Sequence, residues 1–129
     1  MPEKKRPKKE NHTPRTIKYL RDRGYLVAKL EHFCWFSKRT KDVWGADIIA
    51  FKEKEVGALL VQATSWDNIA HRKRKVEGIE EAVSWVYRDG DRIQTREFLI
   101  VGWKKAGKFW RCKIVSFDGT EWREIDLGL

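Results

Sequence analysis

The chain has 129 residues, of which 41% are hydrophobic and 36% charged, and its formal net charge is +9. That length suits one domain with its own core. No apolar run approaches the roughly 18 residues of a membrane span, and the opening MPEKKRPKKE lacks the apolar stretch of a secretory signal. The expectation is therefore a cytoplasmic protein with no membrane partner. Cys34 and Cys112 form no CxxC pair, and His12, His32 and His71 are scattered, so no zinc cluster is expected. A positive excess of this size attracts phosphate backbones and releases their counterions, which makes nucleic acid the expected partner. The bland alternative is that the charge serves solubility alone.

Residues 1–15 hold all three prolines and six Lys or Arg against two Glu. This composition predicts a disordered basic arm, with Lys4, Lys5, Arg6, Lys8 and Lys9 as candidate phosphate contacts. The folded domain is expected over 16–129. Thr13 reads as a helix cap with Pro14 at the first position, and Ile17, Leu20 and a Gly24 stop predict about ten helical residues. YLVAKLEHFCWF, residues 25–36, is rich in β-formers and predicts a strand. SKRTKD, residues 37–42, reads as a charged loop.

GAD at 45–47 leads into the short apolar strand IIAF. A turn over 52–55 and Gly57 then open ALLVQAT. Thr64 and Ser65 read as an N-cap pair, with Asp67 as an alternative cap. Ile69, Val76, Ile79, Val83 and Val86 share a helical face, with HRKRK on another and Gly78 as a break. Asp89-Gly90-Asp91 reads as a turn. A strand is expected over 98–103, a hairpin turn at 106–108 before FWRCKIVSF, and a second hairpin at Asp118-Gly119 before EWREIDL. Helix, strands, helix, strands is the order of a single-domain α/β fold. It predicts a central mixed β-sheet flanked by helices, with C-terminal antiparallel hairpins.

The chemistry concentrates where apolar strands meet polar residues. Asp47 heads one strand, and Gln62 lies near the end of the next. If the strands pair, a carboxylate and a neutral oxygen meet at one end of the sheet. Mg²⁺ keeps several waters and needs only one or two protein carboxylates, so such a corner suits it. A metal there activates water and stabilises a phosphodiester transition state. Gln62 and Thr64 share a face because strand side chains alternate with period two.

GADIIAF followed by LLVQATS resembles the PD-(D/E)XK nuclease superfamily, near its Holliday-junction-resolvase-like and VRR-NUC-like members. There a helix precedes a strand pair; the first strand carries an Asp and the second Glu-x-Lys. More closely, the chain is similar to small phage and prokaryotic proteins that read as a helix ending in RGY, a DxxGxxD strand, a QVTS-like strand, a basic helix and a GW strand. The matching text is Arg23-Gly24-Tyr25, residues 42–47, QATS, HRKRK and Gly102-Trp103. The resemblance implies a restriction-endonuclease-like fold and a metal-dependent DNA endonuclease using Mg²⁺ or Mn²⁺ and no small-molecule cofactor. Branched or structured DNA is among the substrates it suggests. Asp47, Gln62 and Thr64 stand in the catalytic positions. Asp47, Gln62, the Ala63 carbonyl, and Asp42 or Glu31 would hold the metal. Arg72, Lys73, Arg74 and Lys75 would meet phosphates. Relatives that cut junctions often work as dimers, so a homodimer is an assembly the resemblance admits.

Two residues depart from that pattern. Gln62 replaces a charged ligand, and Thr64 replaces the lysine that positions the attacking water. Three readings follow: a weakened metal corner that still works, a basic residue of the 72–75 series supplying the missing cation, or a fold kept for binding nucleic acid without cutting it. A small interaction protein whose aromatic hairpins dock a partner is the alternative from another class.

Overall fold

The computed structural model describes residues 12–30, 32–34, 39–41, 44–52, 57–88 and 95–127. Its elements are α1 (Thr13–Asp22), β1 (Tyr25–Lys29), β2 (His32–Cys34), β3 (Arg39–Lys41), β4 (Ile48–Lys52), β5 (Gly57–Ser65), α2 (Ile69–Glu77), α3 (Glu80–Trp85), β6 (Tyr87–Arg88), β7 (Thr95–Ala106), β8 (Phe109–Phe117) and β9 (Trp122–Ile125). A 3₁₀ turn, Trp66–Asn68, joins β5 to α2.

The main sheet runs β1-β4-β5-β7-β8-β9, with β6 pairing beyond the end of β8 on β7. β5 and β7 are parallel and every other pair in this sheet is antiparallel. The fold is thus the α/β mixed sheet that the element order predicts. A parallel pair requires a crossover, and α2 and α3 supply it.

Side-chain alternation sorts the core into two layers. Leu60, Phe98, Ile100, Val115 and Phe117 face one side and pack under Ile69, Val76 and Ala82 of the crossover helices. Val61, Leu99, Val101, Trp103 and Ile114 face the other side and pack under Ile17 and Leu20 of α1. Both faces of the central strands are covered. That is why LLV and LIV read as continuous apolar runs rather than as alternation.

Several local expectations need correction. Helix α1 begins at Thr13, with His12 as its cap, so Thr13 lies inside the helix and residues 12–15 belong to the folded domain. His12 and Thr13 are buried, and the Arg15 guanidinium lies 3.6 Å from the Trp110 ring centroid. Cation–π packing and burial hold this segment where composition alone suggested an arm. The rest of the arm, with Lys4, Lys5, Arg6, Lys8 and Lys9, lies outside the described residues.

The 25–36 stretch is not one strand. β1 pairs with β4 only as far as Lys29 opposite Ile48, and the Leu30 N–H makes a last bond to the Asp47 carbonyl at 2.8 Å. Before Asp47 the chain turns through Trp44 and Gly45, at φ 52° and 81°, so β1 runs out of partner. His32–Cys34 instead joins Arg39–Lys41 in a separate two-stranded sheet. The expected 37–42 loop therefore contains a strand, because ladder bonds use the backbone and are indifferent to charged side chains. Of the turn expected over 52–55, Lys52 is the last residue of β4, and residues 53–55, like the turn expected over 89–91, lie outside the described residues.

Candidate functional site

Asp47 and Gln62 meet. β4 and β5 pair antiparallel with Ile48 opposite Val61. One residue further along, the Asp47 N–H donates to the Val61 carbonyl at 2.9 Å. There the β4 ladder ends, and the Asp47 side chain takes over its work. Its Oδ2 accepts the Ala63 backbone N–H at 3.0 Å and the Gln62 Nε2 at 2.9 Å. Asp47 is 8% exposed and Gln62 4%. The carboxylate therefore satisfies a strand N–H that would otherwise be orphaned.

The Gln62 amide has a defined orientation. Nε2 donates to Asp47 and also to the Ala63 carbonyl at 3.1 Å. A flip would set its oxygen against both acceptors, so the network allows only this orientation. Oε1 is left buried with no hydrogen-bond partner among the described residues. A buried amide oxygen without a donor is costly in a native fold, by about 1–3 kcal/mol. It is a buried acceptor for which the described residues supply no donor.

The turn that delivers Asp47 is unusual. Trp44 takes positive φ, a conformation that L side chains rarely adopt and that costs on the order of 1–3 kcal/mol. The next residue must be small: a Cβ on Gly45 would lie 3.1 Å from Ile79 Cδ1 and close to Val76 and Phe98. Packing of α2 and α3 onto this turn thus fixes the backbone that carries the carboxylate.

Thr64 lies on the same sheet face as Gln62 and is also buried. Its hydroxyl accepts the Asn68 Nδ2–H at 3.3 Å. It does not cap the following helix, nor does Ser65, whose side chain makes no cap bond to the 3₁₀ turn. The caps expected there are replaced by the turn itself, and Asn68 is the residue preceding α2. Asn68 went unpredicted, although its i+4 spacing from Thr64 was a visible signal.

The basic series is split by helix geometry. Arg72 and Lys73 follow Ile69 by three and four residues and are half-buried, whereas His71, Arg74 and Lys75 are exposed. Lys73 Nζ lies 6.0 Å from the Trp122 ring. Arg72 Nε is buried without a hydrogen-bond partner among the described residues. Five consecutive helical residues cannot share one face, so these cations do not form a single track. Trp66, half-buried in the 3₁₀ turn, is flanked by Lys104 and Lys113 at 5.9 and 5.7 Å.

As a metal centre, the donor set is lean. Asp42 and Glu31 lie outside the described residues. Among the described residues no group of three or more His, Cys, Asp or Glu comes together. Gln62 meets the Asp47 carboxylate through Nε2 rather than Oε1, so the expected pairing of two oxygens is not formed, and a single carboxylate fits only a hard cation that keeps most of its water, not one needing an all-protein cage. The Ala63 carbonyl is already engaged by Gln62. No helix among the described residues is long and apolar enough to cross a membrane. No protein-family model, no curated protein and no solved structure matches this chain.

Proposed function

We propose that the chain is a metal-dependent, nuclease-like protein that acts on DNA, hydrolysing phosphodiesters with Mg²⁺ or Mn²⁺. The observation that carries this reading is the buried Asp47–Gln62 pair at the shared end of β4 and β5, with Gln62 Oε1 lacking a hydrogen-bond partner among the described residues. Asp47 would hold the cation, and Gln62 Oε1 would complete the protein's share of its ligands. When bound, the metal would supply the Lewis acidity and the activated water. The net charge of +9 favours a phosphate-rich substrate. The GAD, QATS and HRKRK order, resembling PD-(D/E)XK nucleases, adds weight. Branched or structured DNA is the substrate class that resemblance favours, and a homodimer is an assembly it admits.

Thr64 favours a second reading, in which the same fold binds DNA without cutting it. A hydroxyl bonded to Asn68 carries no charge with which to position a nucleophile or offset phosphoryl charge. Loss of one such stabiliser lowers rates by roughly 10²–10³ elsewhere. Arg72, half-buried on the helix above this sheet face, is the cation nearest in role.

The deciding experiment incubates duplex, single-stranded and branched DNA with the protein in Mg²⁺, Mn²⁺ or EDTA, beside Asp47→Asn. The nuclease reading expects metal-dependent product from the natural sequence and none from the variant. Equal product from both would overturn it. Binding without product in any metal would replace it with the second reading.

A further inference from the structure

The β7–β8 hairpin is a strongly basic, exposed feature of the described fold. Residues 104–113, KKAGKFWRCK, carry five cations and no acid. At its turn, residues 104–109 are all exposed, and Phe109 is 76% exposed. An aromatic so open to water contributes nothing to the core.

Register places these residues on one face. Ile100 on β7 and Val115 on β8 face the crossover helices. Counting by twos puts Lys104, Arg111, Lys113 and Phe109 on that same side. Gln62 and Thr64 also face it, since Leu60 does. Lys104 and Arg111 are directly opposite each other in the ladder. Like charges in that position are destabilising, and an anion between them would relieve the repulsion. Lys104 and Lys113 also flank Trp66, which links the hairpin to the end of β5. Lys113 has a loose ion pair with Glu124, at 4.0 Å.

Direction and reach complete the picture. β5 and β7 run parallel, with Thr64 opposite Gly102. The hairpin therefore projects from the same end of the sheet as the Asp47–Gln62 corner. From Gly102 to the turn at Gly107 is five residues, about 17 Å at the usual rise. A two-stranded β-ribbon fits the roughly 12 Å major groove of B-DNA.

We infer that the 104–113 hairpin is a DNA-binding wing, in which Lys104, Arg111 and Lys113 hold backbone phosphates and Phe109 presses against a base. The inference rests on the DNA-directed reading above but not on cleavage. It differs from the arm and the 72–75 helix, where sequence alone located the phosphate contacts.

The test is fluorescence anisotropy of the full chain on a labelled duplex and on the same duplex with an unpaired fork, in EDTA, across a salt series. The natural chain is expected to bind both. K104A/R111A should weaken binding and flatten the salt slope by about 2, at roughly 0.9 per phosphate lost. Phe109→Ala should leave the slope unchanged and weaken forked-DNA binding by roughly five- to hundredfold. K18A/R21A removes two exposed cations from α1, on the other face of the sheet, and should have the smaller effect. If K104A/R111A binds unchanged, or K18A/R21A loses as much, the wing is overturned while the DNA reading stands. If the natural chain fails to bind at physiological salt, both fall.

Discussion

Asp47 is the residue on which structure and proposed chemistry converge, and its two roles separate by substitution. Asp47→Ala deletes an oxygen that accepts the Ala63 N–H at 3.0 Å and the Gln62 amide at 2.9 Å. Gln62 Nε2 keeps its bond to the Ala63 carbonyl, but the Ala63 N–H points past the end of β4 with no replacement. Hydrogen bonds to a charged group contribute about 1.5–3 kcal/mol, and an orphaned buried donor costs about 1–3 kcal/mol. Allowing for the overlap between these, Asp47→Ala should destabilise by roughly 2–4 kcal/mol, a drop in Tm of about 6–20 °C for a chain of this size. Asp47→Asn keeps an oxygen where both donors converge and loses only its charge, about 0.5–1.5 kcal/mol. Thermal melts and urea denaturation followed by circular dichroism measure both. Asp47→Ala as stable as the natural chain, or Asp47→Asn as damaged as Asp47→Ala, would refute the idea that the carboxylate completes the β5 ladder. The comparison also identifies Asp47→Asn as the right control for cleavage, because it separates lost chemistry from lost fold.

Four further outcomes follow from the packing. The Trp103 indole N–H donates to Thr16 Oγ1 at 2.8 Å, which in turn donates to the His12 carbonyl. Thr16→Val should cost about 1–3 kcal/mol in urea denaturation, and adding Trp103→Phe should recover part of it, since no buried donor is then left unmade. Gly102→Ala would place a methyl 2.4 Å from Ile69 Cδ1 and 3.0 Å from the Trp66 backbone, so overpacking should destabilise by about 1–3 kcal/mol. Burial first, and then the neighbouring Cys112, push the Tyr19 hydroxyl up from 10.0 to about 12. Its contribution is fully present below pH 10 and is lost as pH rises through about 12, so urea midpoints should fall across that window and fall less in Tyr19→Phe. Burial also raises the Cys112 thiol, so its alkylation at neutral pH, read by peptide mass spectrometry, should be slow.

Much of the fold was legible because it rests on local signals. The apolar runs LLV and LIV, the Gly78 break, the turn at Gly107 and the Asp118-Gly119 hairpin each carry their own chemistry, and each marks an element or junction in the structure. Asp47 and Gln62 were legible as neighbours because two apolar strands separated by a short connection tend to pair. Where local signals failed, a partner decided. Strand β1 stops at Lys29 because β4 turns away at Gly45, and no property of residues 30–36 announces that. Arg15 leaves the basic arm because Trp110, 95 positions away, offers it a ring.

Composition and order alone determined a basic α/β domain and the pair of strands that bears the candidate site. Those features depend on side-chain period, turn residues and charge, all of which are written within a few residues of one another. Only the tertiary structure decided what the site residues do. It turned the Gln62 amide toward Asp47 rather than setting two oxygens side by side, and bonded Thr64 to Asn68. It also brought Lys104 opposite Arg111 at the end of the sheet where Asp47 lies. Hydrogen-bond direction and strand register are properties of pairs distant in sequence, and they exist only once the sheet has closed.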